Sequence, residues 1–429
     1  MKILKFGGAS VKNPDTVKKL SDILKKYSDE NTLVVISAMD KMTNAFEKLT
    51  YYYFHRNEKI AEQFDFIKNY HFNILNGLFE DKNDIIYNEI DKLFSSLQNH
   101  LKKSSSQNYD FEYDQIVSYG ELLSTKIISR FLNSIGIKNL WFDVREILKT
   151  DTTYREAKIN WGETEKLCKK NLLKHFNSSN KLIITQGFIG ESFDNHTTTL
   201  GREGSDYTAA VFANIFDVNE LIVWKDVPGL LNADPKYFED TKKIDFISFK
   251  EASELTYYGA KIIHPKTIKP LQNKNIPILI KPFYTPEEKG SLISDKKNQN
   301  NNIPIFIIKR NQILVSLSPK DFSFIANKHL SEIFNFFNDN NLKINLLQIS
   351  AISISVCLDD EDEDEKTLKK IIKLLNEKFN IRYNKGLEII TIRHYNNESL
   401  KKILRNKEIL LEQKSRATIQ ILAKQNLEI

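Results

Sequence analysis

The chain has 429 residues with 62 basic and 56 acidic side chains, a formal net charge of +6. Its length predicts two or three domains, and 41% hydrophobic with 28% charged residues is the balance of a globular chain. The small basic excess is spread along the sequence, which argues against a nucleic-acid-binding protein.

Cysteine content and hydropathy exclude two further classes. The two cysteines, Cys168 and Cys357, lie far apart in sequence, so they do not form the framework of a disulfide-rich secreted protein. No apolar run approaches the roughly 20 residues that span a bilayer. We therefore predict a cytoplasmic protein with no membrane partner.

Short apolar runs alternate with helical patterns from the N-terminus to about residue 285. The predicted strands are residues 3–6, 32–37, 182–185, 220–224 and 276–280. The predicted helices are residues 16–27, 206–215 and 248–258, and residues 44–103 form several long helices. Strand–helix alternation with β-branched strands favours an α/β fold with a mainly parallel central sheet.

Residues 286–302 are polar and loop-forming, and they predict a domain boundary. Beyond them the order strand, helix, strand, strand occurs twice, which is typical of a ferredoxin-like fold. The strands are predicted at 313–317, 342–348, 351–358, 387–392, 408–412 and 417–422, and the helices at 330–337, 368–379 and 399–404. The acidic run 359–365 is interpreted as a solvated loop rather than a metal site.

A glycine turn follows the first strand directly. Gly7 and Gly8 would let backbone N–H groups approach an anion, and Lys5 could reach the same anion. By spacing alone this is a weak phosphate signal, and a plain strand–turn–helix explains it equally well.

A second loop, residues 197–208, is rich in threonine and glycine and opens a helix. Arg202 supplies a planar fork suited to a carboxylate or phosphate. Ser205 or Asp206 could be an N-cap. Capping explains one polar residue but not the arginine and the three threonines that accompany it.

Two later segments are ambiguous by themselves. Residues 223–235 end a strand in a polar turn that carries Lys225 and Asp226. Lys261 follows a glycine at the end of a helix. Without a ligand, the first segment would be a turn-rich loop and Lys261 a solvent-facing lysine.

Taken together, these segments resemble the amino-acid kinase superfamily, and specifically the aspartate kinases, over residues 2 to about 425. Seven motifs in the family's order carry the resemblance: Lys5-Phe6-Gly7-Gly8, Ser37-Ala38 with Thr43-Asn44, Gly120-Glu121-Leu122, Trp141-Phe142-Asp143, Thr198 through Thr208, Asp226-Val227-Pro228-Gly229, and Gly259-Ala260-Lys261.

The resemblance implies a three-layer α/β catalytic domain at residues 1–290 and two ferredoxin-like ACT regulatory domains at 303–385 and 386–429. The second ACT domain looks short, without its final helix. The implied activity is transfer of the ATP γ-phosphate to the β-carboxylate of L-aspartate, the first step of lysine, threonine and methionine biosynthesis. An amino-acid effector at the ACT domains and a homodimer or higher oligomer are further expectations.

The resemblance also assigns residues to roles. Lys5 and Asp206 are expected to be catalytic. The residues expected to bind the substrate are Thr43, Glu121, Arg202, Gly204 and Ser205. The residues expected to bind the nucleotide are Lys5, Gly7, Gly8, Ser10, Lys225, Asp226, Leu231, Lys236 and Lys261. Mg²⁺ is expected to arrive with ATP rather than to occupy a protein cage.

Several positions depart from the family's pattern. Ala9 and Glu203 stand where threonine and glycine are usual, and Glu203 brings an extra carboxylate beside Arg202. Three positions expected to bind the nucleotide also differ: Lys225, Leu231 and Lys236 stand where family members often have threonine, tyrosine and arginine. In the first ACT domain the differences are Lys328, His329, Asn345 and Ala351, which add a cation and remove carboxylates. They predict weak or absent inhibition by lysine.

Other readings are less favoured. A superfamily kinase acting on acetylglutamate, glutamate or uridylate lacks the two C-terminal modules. A fused homoserine dehydrogenase would need a GxGxxG strand–helix unit, which the sequence does not contain. A non-catalytic amino-acid-binding regulator or a structural protein would not need Lys5, Arg202 and Asp206. The eight histidines form no metal-spaced cluster.

Overall fold

The computed structural model describes residues 1–177, 181–260, 263–295, 303–321, 323–340, 342–360, 366–404 and 407–425. The chain divides into two compact units. The first unit comprises Met1–Leu230, Lys243–Ser253 and Lys261–Asn300, and the second comprises Leu231–Lys242, Glu254–Ala260 and Asn301–Ile429.

Thirteen strands are described before residue 296. They are β1 (Lys2–Phe6), β2 (Thr32–Ile36), β3 (Leu140–Phe142), β4 (Lys149–Thr150), β5 (Leu182–Gln186), β6 (Ile189–Ser192), β7 (Thr197–Thr199), β8 (Leu221–Lys225), β9 (Leu230–Leu231), β10 (Lys243–Ile244), β11 (Phe246–Ile247), β12 (Ile278–Pro282) and β13 (Ser291–Ile293).

The ten α-helices described over the same part of the chain are α1 (Pro14–Lys25), α2 (Met42–Phe54), α3 (Ile60–Leu78), α4 (Ile85–Leu101), α5 (Tyr109–Val117), α6 (Tyr119–Ser134), α7 (Trp161–Asn177), α8 (Gly204–Ile215), α9 (Phe249–Tyr257) and α10 (Pro265–Gln272). Local signals start several of them. Asn13, for example, forms a reciprocal capping box with Thr16 at the start of α1.

The central sheet of the first unit has eight strands in the order β11-β13-β12-β8-β1-β2-β5-β3. From β12 to β3 every neighbouring pair is parallel. Strands β2 and β5 are buried at every residue, which is the pattern of parallel strands covered on both faces. The predicted parallel sheet is therefore confirmed, and its carboxyl ends lie together at one edge.

One local prediction was wrong. The polar composition of residues 286–302 predicts a loop, but Ser291–Ile293 forms β13, antiparallel to β12 and parallel to β11. Three residues of strand give too little periodicity to be detected beside charged neighbours. Residues 296–302 lie outside the described part of the chain.

The second unit contains a six-stranded antiparallel sheet in the order β15-β16-β14-β17-β19-β18. Its elements are β14 (Ile305–Pro319), α11 (Asn327–Asp339), β15 (Ile344–Ile349), β16 (Ile354–Asp359), α12 (Lys366–Leu375), β17 (Phe379–Arg393), α13 (Asn397–Leu404), β18 (Ile409–Lys414) and β19 (Thr418–Lys424). The acidic residues 361–365 lie outside the description.

The two long strands, β14 and β17, each serve both halves of this sheet. The later part of β14 pairs with β16 and with the start of β17, whereas residues 305–309 pair with residues 389–393. Each half then has four strands in ferredoxin-like order. The predicted division at residues 385 and 386 falls within β17, and no helix follows β19 in the described residues.

Residues 231–242 and 254–260 cluster with the second unit, although they lie inside the predicted first domain of residues 1–290. Phe238 explains part of this. Its ring stacks on Phe306 at 5.3 Å between centroids and packs on the apolar cluster of Ile390, Ile392 and their neighbours. None of the described helices combines the length and apolar composition that a membrane crossing requires.

Candidate active site

Three strands of the parallel sheet end beside one another in backbone-to-backbone hydrogen bonds. The Ser37 N–H donates to the Phe6 carbonyl at 3.2 Å, and the Gly187 N–H donates to the Ile36 carbonyl at 3.0 Å. The turns after β1, β2 and β5 are thus held together. This carboxyl edge is where open α/β sheets commonly bind ligands.

The turn after β1 is packed so closely that only glycine fits its second position. A Cβ atom on Gly8 would lie 2.7 Å from the carbonyl oxygens of both Ala38 and Asp40. The Asp40 N–H also donates to the Gly8 carbonyl at 3.1 Å. The turn therefore lies directly against the loop after β2.

Two lysines converge on one buried carboxylate at this edge. Lys5 Nζ lies 2.6 Å from Asp206 Oδ1, and Lys225 Nζ lies 3.8 Å from Asp206 Oδ2. Burial by itself would raise the pKa of Asp206, but the charges and hydrogen bonds of Lys5 and Lys225 outweigh it and hold that pKa below its usual value. Asp206 therefore stays ionised between the two lysines at neutral pH.

Helix α8 brings Asp206 to this position through a close approach to β5. A Cβ on Gly187 would lie 2.5–2.7 Å from Ser205 atoms, so the first turn of α8 rests on the glycine after β5. Neither Ser205 nor Asp206 is the N-cap, which corrects that interpretation. The N-cap is Glu203, whose backbone is left-handed with φ +54°, and both residues lie inside the first turn.

Glu203 makes a contact that the sequence did not predict. Its Oε2 accepts a hydrogen bond from the backbone N–H of His264 at 2.8 Å, at the N-cap of α10. The extra carboxylate expected beside Arg202 therefore connects the Arg202 loop to another segment of the first unit. Burial is the main cause that lowers the pKa of His264, and Glu203 opposes it.

Glu121, in the first turn of α6, points a carboxylate into the buried interior. Its Oε1 accepts the Ala38 N–H at 3.2 Å, and its Oε2 is buried with no hydrogen-bond partner. Burial raises the pKa of Glu121 to about 8, with the Ala38 hydrogen bond opposing the shift. An unpartnered buried carboxylate oxygen is costly, and a cationic ligand would satisfy it.

A buried network that sequence reasoning missed supports Glu121. Thr125, one turn further along α6, accepts hydrogen bonds from Gln186 Nε2 at 2.8 Å and Trp141 Nε1 at 2.9 Å. Gln186 in turn accepts the Val144 N–H at 2.8 Å. Trp141 gives a signal in the sequence as part of a motif, and Gln186 begins the segment that leads to the threonine-rich loop, but Thr125 gives none.

The remaining residues predicted to bind substrate or nucleotide are spread over the first unit, the second unit and the part of the chain outside the description. Thr43 is in the first turn of α2, Ser10 is buried in the short helical turn after Gly8, and Asp226 is exposed just after β8. Leu231 and Lys236 belong to the second unit. Lys261 lies outside the described residues.

Within the described part of the chain, no three His, Cys, Asp or Glu side chains group as a metal site. The residues that could face a metal ion carried by a nucleotide are therefore single carboxylates. Asp206 is suited to this because it is buried and its pKa lies below its usual value.

Comparisons with known proteins agree with this geometry. The chain matches the amino acid kinase family over residues 1–282. It is 31% identical over 401 residues to the lysine-sensitive aspartokinase 3 of Escherichia coli K12, covering 91% of this chain and 86% of that protein.

Two solved structures are similar over almost the whole chain. One is E. coli aspartokinase III in complex with aspartate and ADP, with a TM-score of 0.82, 28% identity and coverage of 99% and 96% of the two chains. The other is the same-named protein in complex with lysine and aspartate, with a TM-score of 0.80, 28% identity and coverage of 98% and 95%. The chain belongs to the amino acid kinase family, and among its members to the aspartokinases. The predicted family and fold class are thereby confirmed.

Proposed function

We propose that this chain is an aspartate kinase, which transfers the γ-phosphoryl group of ATP to the β-carboxylate of L-aspartate and yields ADP and 4-phospho-L-aspartate. The reaction opens the biosynthesis of lysine, threonine and methionine. The observation that carries the proposal is the buried Lys5–Asp206–Lys225 cluster at the carboxyl edge of the parallel sheet, in a chain that is similar throughout to aspartokinases.

The chemistry requires little beyond positioning and charge neutralisation. The β-carboxylate of aspartate is ionised at neutral pH, so it attacks the γ-phosphorus without a general base. The bond from the γ-phosphorus to the bridging oxygen of ADP breaks as the new oxygen–phosphorus bond forms. Lys5 would neutralise charge on the transferring group, and the Gly7 and Gly8 N–H groups would hold its oxygens.

Asp206 would orient Lys5 and Lys225 through the contacts described above. We further propose that Asp206 would face a Mg²⁺ ion that accompanies the nucleotide, and that this ion would supply charge neutralisation on the phosphates. The other residues proposed to contact the nucleotide are Ser10, Asp226, Leu231, Lys236 and Lys261.

The proposed aspartate site uses groups of opposite charge for the two ends of the substrate. Arg202 would pair with a substrate carboxylate. Glu121 would take the α-ammonium, because its buried Oε2 has no other partner. Thr43, Gly204 and Ser205 would add hydrogen bonds.

Hydroxylamine trapping tests the proposal. With Mg-ATP, hydroxylamine and L-aspartate, we expect an aspartyl hydroxamate and stoichiometric ADP. Glutamate and N-acetylglutamate serve as control acceptors and should give none. A folded, nucleotide-binding protein that yields no hydroxamate from aspartate, or yields it from a control acceptor, would overturn the proposed substrate.

We also propose that the second unit is regulatory, with two ACT domains at residues 303–385 and 386–429, and that it responds weakly or not at all to lysine. Asn345 supports this. Its amide donates to Gln312 at 2.8 Å and to Asp359 at 2.9 Å, and its oxygen accepts from Lys309 at 2.9 Å. The side chain is thus occupied within the unit and offers no carboxylate to a ligand ammonium.

Titration of the kinase assay with lysine tests that proposal. We expect turnover to be unchanged at concentrations that saturate a lysine-sensitive relative assayed in parallel, and threonine is titrated next. Inhibition by micromolar lysine would contradict it. A homodimer and a cytoplasmic location remain proposals from the same resemblance.

A further inference from the structure

Asp114 is a buried acid in helix α5 that has no role in the chemistry proposed above. It is 0% exposed, although ionisable side chains are rarely buried unless they are paired. Its hydrogen-bond partners come from distant parts of the chain, 41 and 85 residues away in sequence. Asp114 therefore connects α5 to other segments of the chain and does more than stabilise its own helix.

The first of these partners is Thr199, the last residue of β7. Asp114 Oδ2 accepts the Thr199 N–H at 2.8 Å, and Oδ1 accepts the Thr199 hydroxyl at 2.6 Å. The neighbouring Gln115 donates from Nε2 to the Thr197 carbonyl at 2.8 Å. One turn of α5 therefore holds both ends of β7.

The second partner is the turn at Arg155. The Arg155 N–H lies 3.1 Å from both carboxylate oxygens of Asp114, and Arg155 has a left-handed backbone with φ +66°. Two residues later, the Ala157 N–H donates to the Thr199 carbonyl at 2.9 Å. Asp114 thus joins the turn and the strand in a single cluster.

This cluster is close in sequence to the two residues proposed to bind aspartate. Thr199 precedes Arg202 by three residues, and only Ser118 separates α5 from α6, which carries Glu121. We infer that Asp114 is a positioning residue that sets the separation of Arg202 from Glu121, and hence the affinity for a substrate carrying both a carboxylate and an ammonium group. The inference rests on the proposed aspartate kinase function.

The ionised form of Asp114 is the one suited to this task. Its partners are two N–H donors and one hydroxyl, and an ionised carboxylate accepts all three hydrogen bonds with the added strength of its charge, which protonation removes. Burial raises the pKa of Asp114 to about 7, although the hydrogen bonds from Thr199 and Arg155 oppose the shift. Ionisable groups around it on α5, the 154–155 turn and α2 are Asp110, Tyr113, Tyr154, Arg155 and Glu47.

The pH dependence follows from the sign of this titration. Above its pKa the carboxylate holds the loop, so the KM for aspartate should be low. As pH falls through about 7 the KM should rise. Glu121 titrates separately, near 8, so the wild-type profile should show two limbs, of which only the lower belongs to Asp114.

Asp114→Asn is the direct test, because an amide of the same shape mimics the protonated acid. We expect the KM for aspartate to rise roughly tenfold, because the neutral amide loses the charge that strengthens these hydrogen bonds. The KM for ATP and kcat at saturating aspartate should change little, and the lower limb of the pH profile should vanish. Asp110→Asn, one turn earlier and paired with Arg155 at the surface, is the matched control and should keep the wild-type KM.

Thr199 provides a second test if Asp114→Asn folds poorly. Thr199→Val removes the hydroxyl and should raise the KM for aspartate, whereas Thr199→Ser keeps it and should restore the wild-type value. A wild-type KM and an intact lower limb in Asp114→Asn, or a fall in kcat and melting temperature alone, would overturn the positioning role. Absence of hydroxamate from the wild-type chain would instead refute the proposed function itself.

Discussion

Lys5 and Asp206 are both almost fully buried, with side chains only 10% and 4% exposed. Removing either partner of such a pair leaves an uncompensated charge in the site. The pair is therefore expected to be far more sensitive than a partly exposed ion pair, such as that of Lys2, also on β1, with Glu220 at 3.7 Å.

We predict that Lys5→Ala lowers kcat roughly a hundred- to a thousandfold, the typical cost of removing one group that stabilises charge in a transition state. Steady-state kinetics at saturating substrates measure the effect. Lys2→Ala is the matched control and should leave kcat unchanged, since Lys2 lies at the start of β1 and its ion pair is partly exposed. Near-normal turnover in Lys5→Ala would contradict the catalytic role.

Substitution of Glu203 should separate an effect on substrate affinity from an effect on stability. In Glu203→Gly, the lost hydrogen bond to His264 costs about 1 kcal/mol, while relief of a left-handed non-glycine residue returns about 1–2 kcal/mol. We therefore predict a melting temperature close to that of the wild type but a KM for aspartate raised severalfold, because the Arg202 loop loses its anchor. Glu203→Gln keeps an acceptor oxygen and should behave like the wild type. An unchanged KM in Glu203→Gly would disprove the anchoring.

At the scale of elements, long and fully buried features could be predicted and short ones could not. The β-branched composition of the parallel strands β2 and β5 predicts both of them. Strands of two to four residues, such as β4, β6, β7 and β13, cannot be predicted in this way. The sequence predicts only residues 313–317 of the 15-residue strand β14, because the strand's first part is interrupted by Lys309, Arg310 and a left-handed Asn311.

The same distinction holds for the site. Glycine turns next to strands and a loop carrying Arg202 are visible locally, so Lys5 and Asp206 could be proposed. Asp114 could not be proposed from the sequence, because its hydrogen-bond partners lie 41 and 85 positions away. The carboxylate of Glu203 likewise finds its partner 61 residues away. Only the folded chain brings these groups together.

Asp84 connects two helices of the first unit and gives an element-scale prediction. It caps α4 through the Ile86 N–H at 2.9 Å and pairs with Arg130 of α6 at 2.8 Å. We expect Asp84→Ala to lower the free energy of unfolding by about 1–2 kcal/mol, and Asp84→Asn, which can still cap, by about half as much. Thermal unfolding of the two variants measures this, and equal losses would show that the cap contributes nothing.

The pH dependence of that contribution has a definite sign. The hydrogen bond with Arg130 is the main cause that lowers the pKa of Asp84. The stabilisation is therefore present above the pKa of the unfolded carboxyl, about 3.9, and is lost as pH falls through the lower folded value. The difference between wild type and Asp84→Asn should accordingly shrink in acid.

For the molecule as a whole, the buried acids whose pKa is raised, Glu121 and Asp114, make the ligand-free protein less stable as pH rises. Glu121 stays protonated in the folded chain up to about 8, whereas in the unfolded chain it ionises near 4.3, so folding loses stability between these values. His71 acts oppositely, because burial lowers its pKa to about 4. Its contribution falls as pH drops from about 6.5 towards that value.

We therefore predict that Glu121→Gln melts at a higher temperature than the wild type at about pH 8, and that the difference declines towards about pH 5. A gain of 1 kcal/mol corresponds to about 2–4 °C for a unit of this size. Saturating aspartate should reverse the order, since only the wild type gains a partner for its carboxylate. A Glu121→Gln variant that is less stable at every pH would refute the prediction.

We expect aspartate binding to release protons, because Glu121 is the proposed partner of the α-ammonium and its Oε2 is buried without a hydrogen-bond partner. Below its pKa of about 8 the free protein holds this carboxyl mostly as the neutral acid, and an arriving α-ammonium favours the anion. Part of a proton must then pass to the solvent for each aspartate bound near neutral pH. The heat of binding should differ between buffers of low and high ionisation enthalpy, and the difference should disappear in Glu121→Gln.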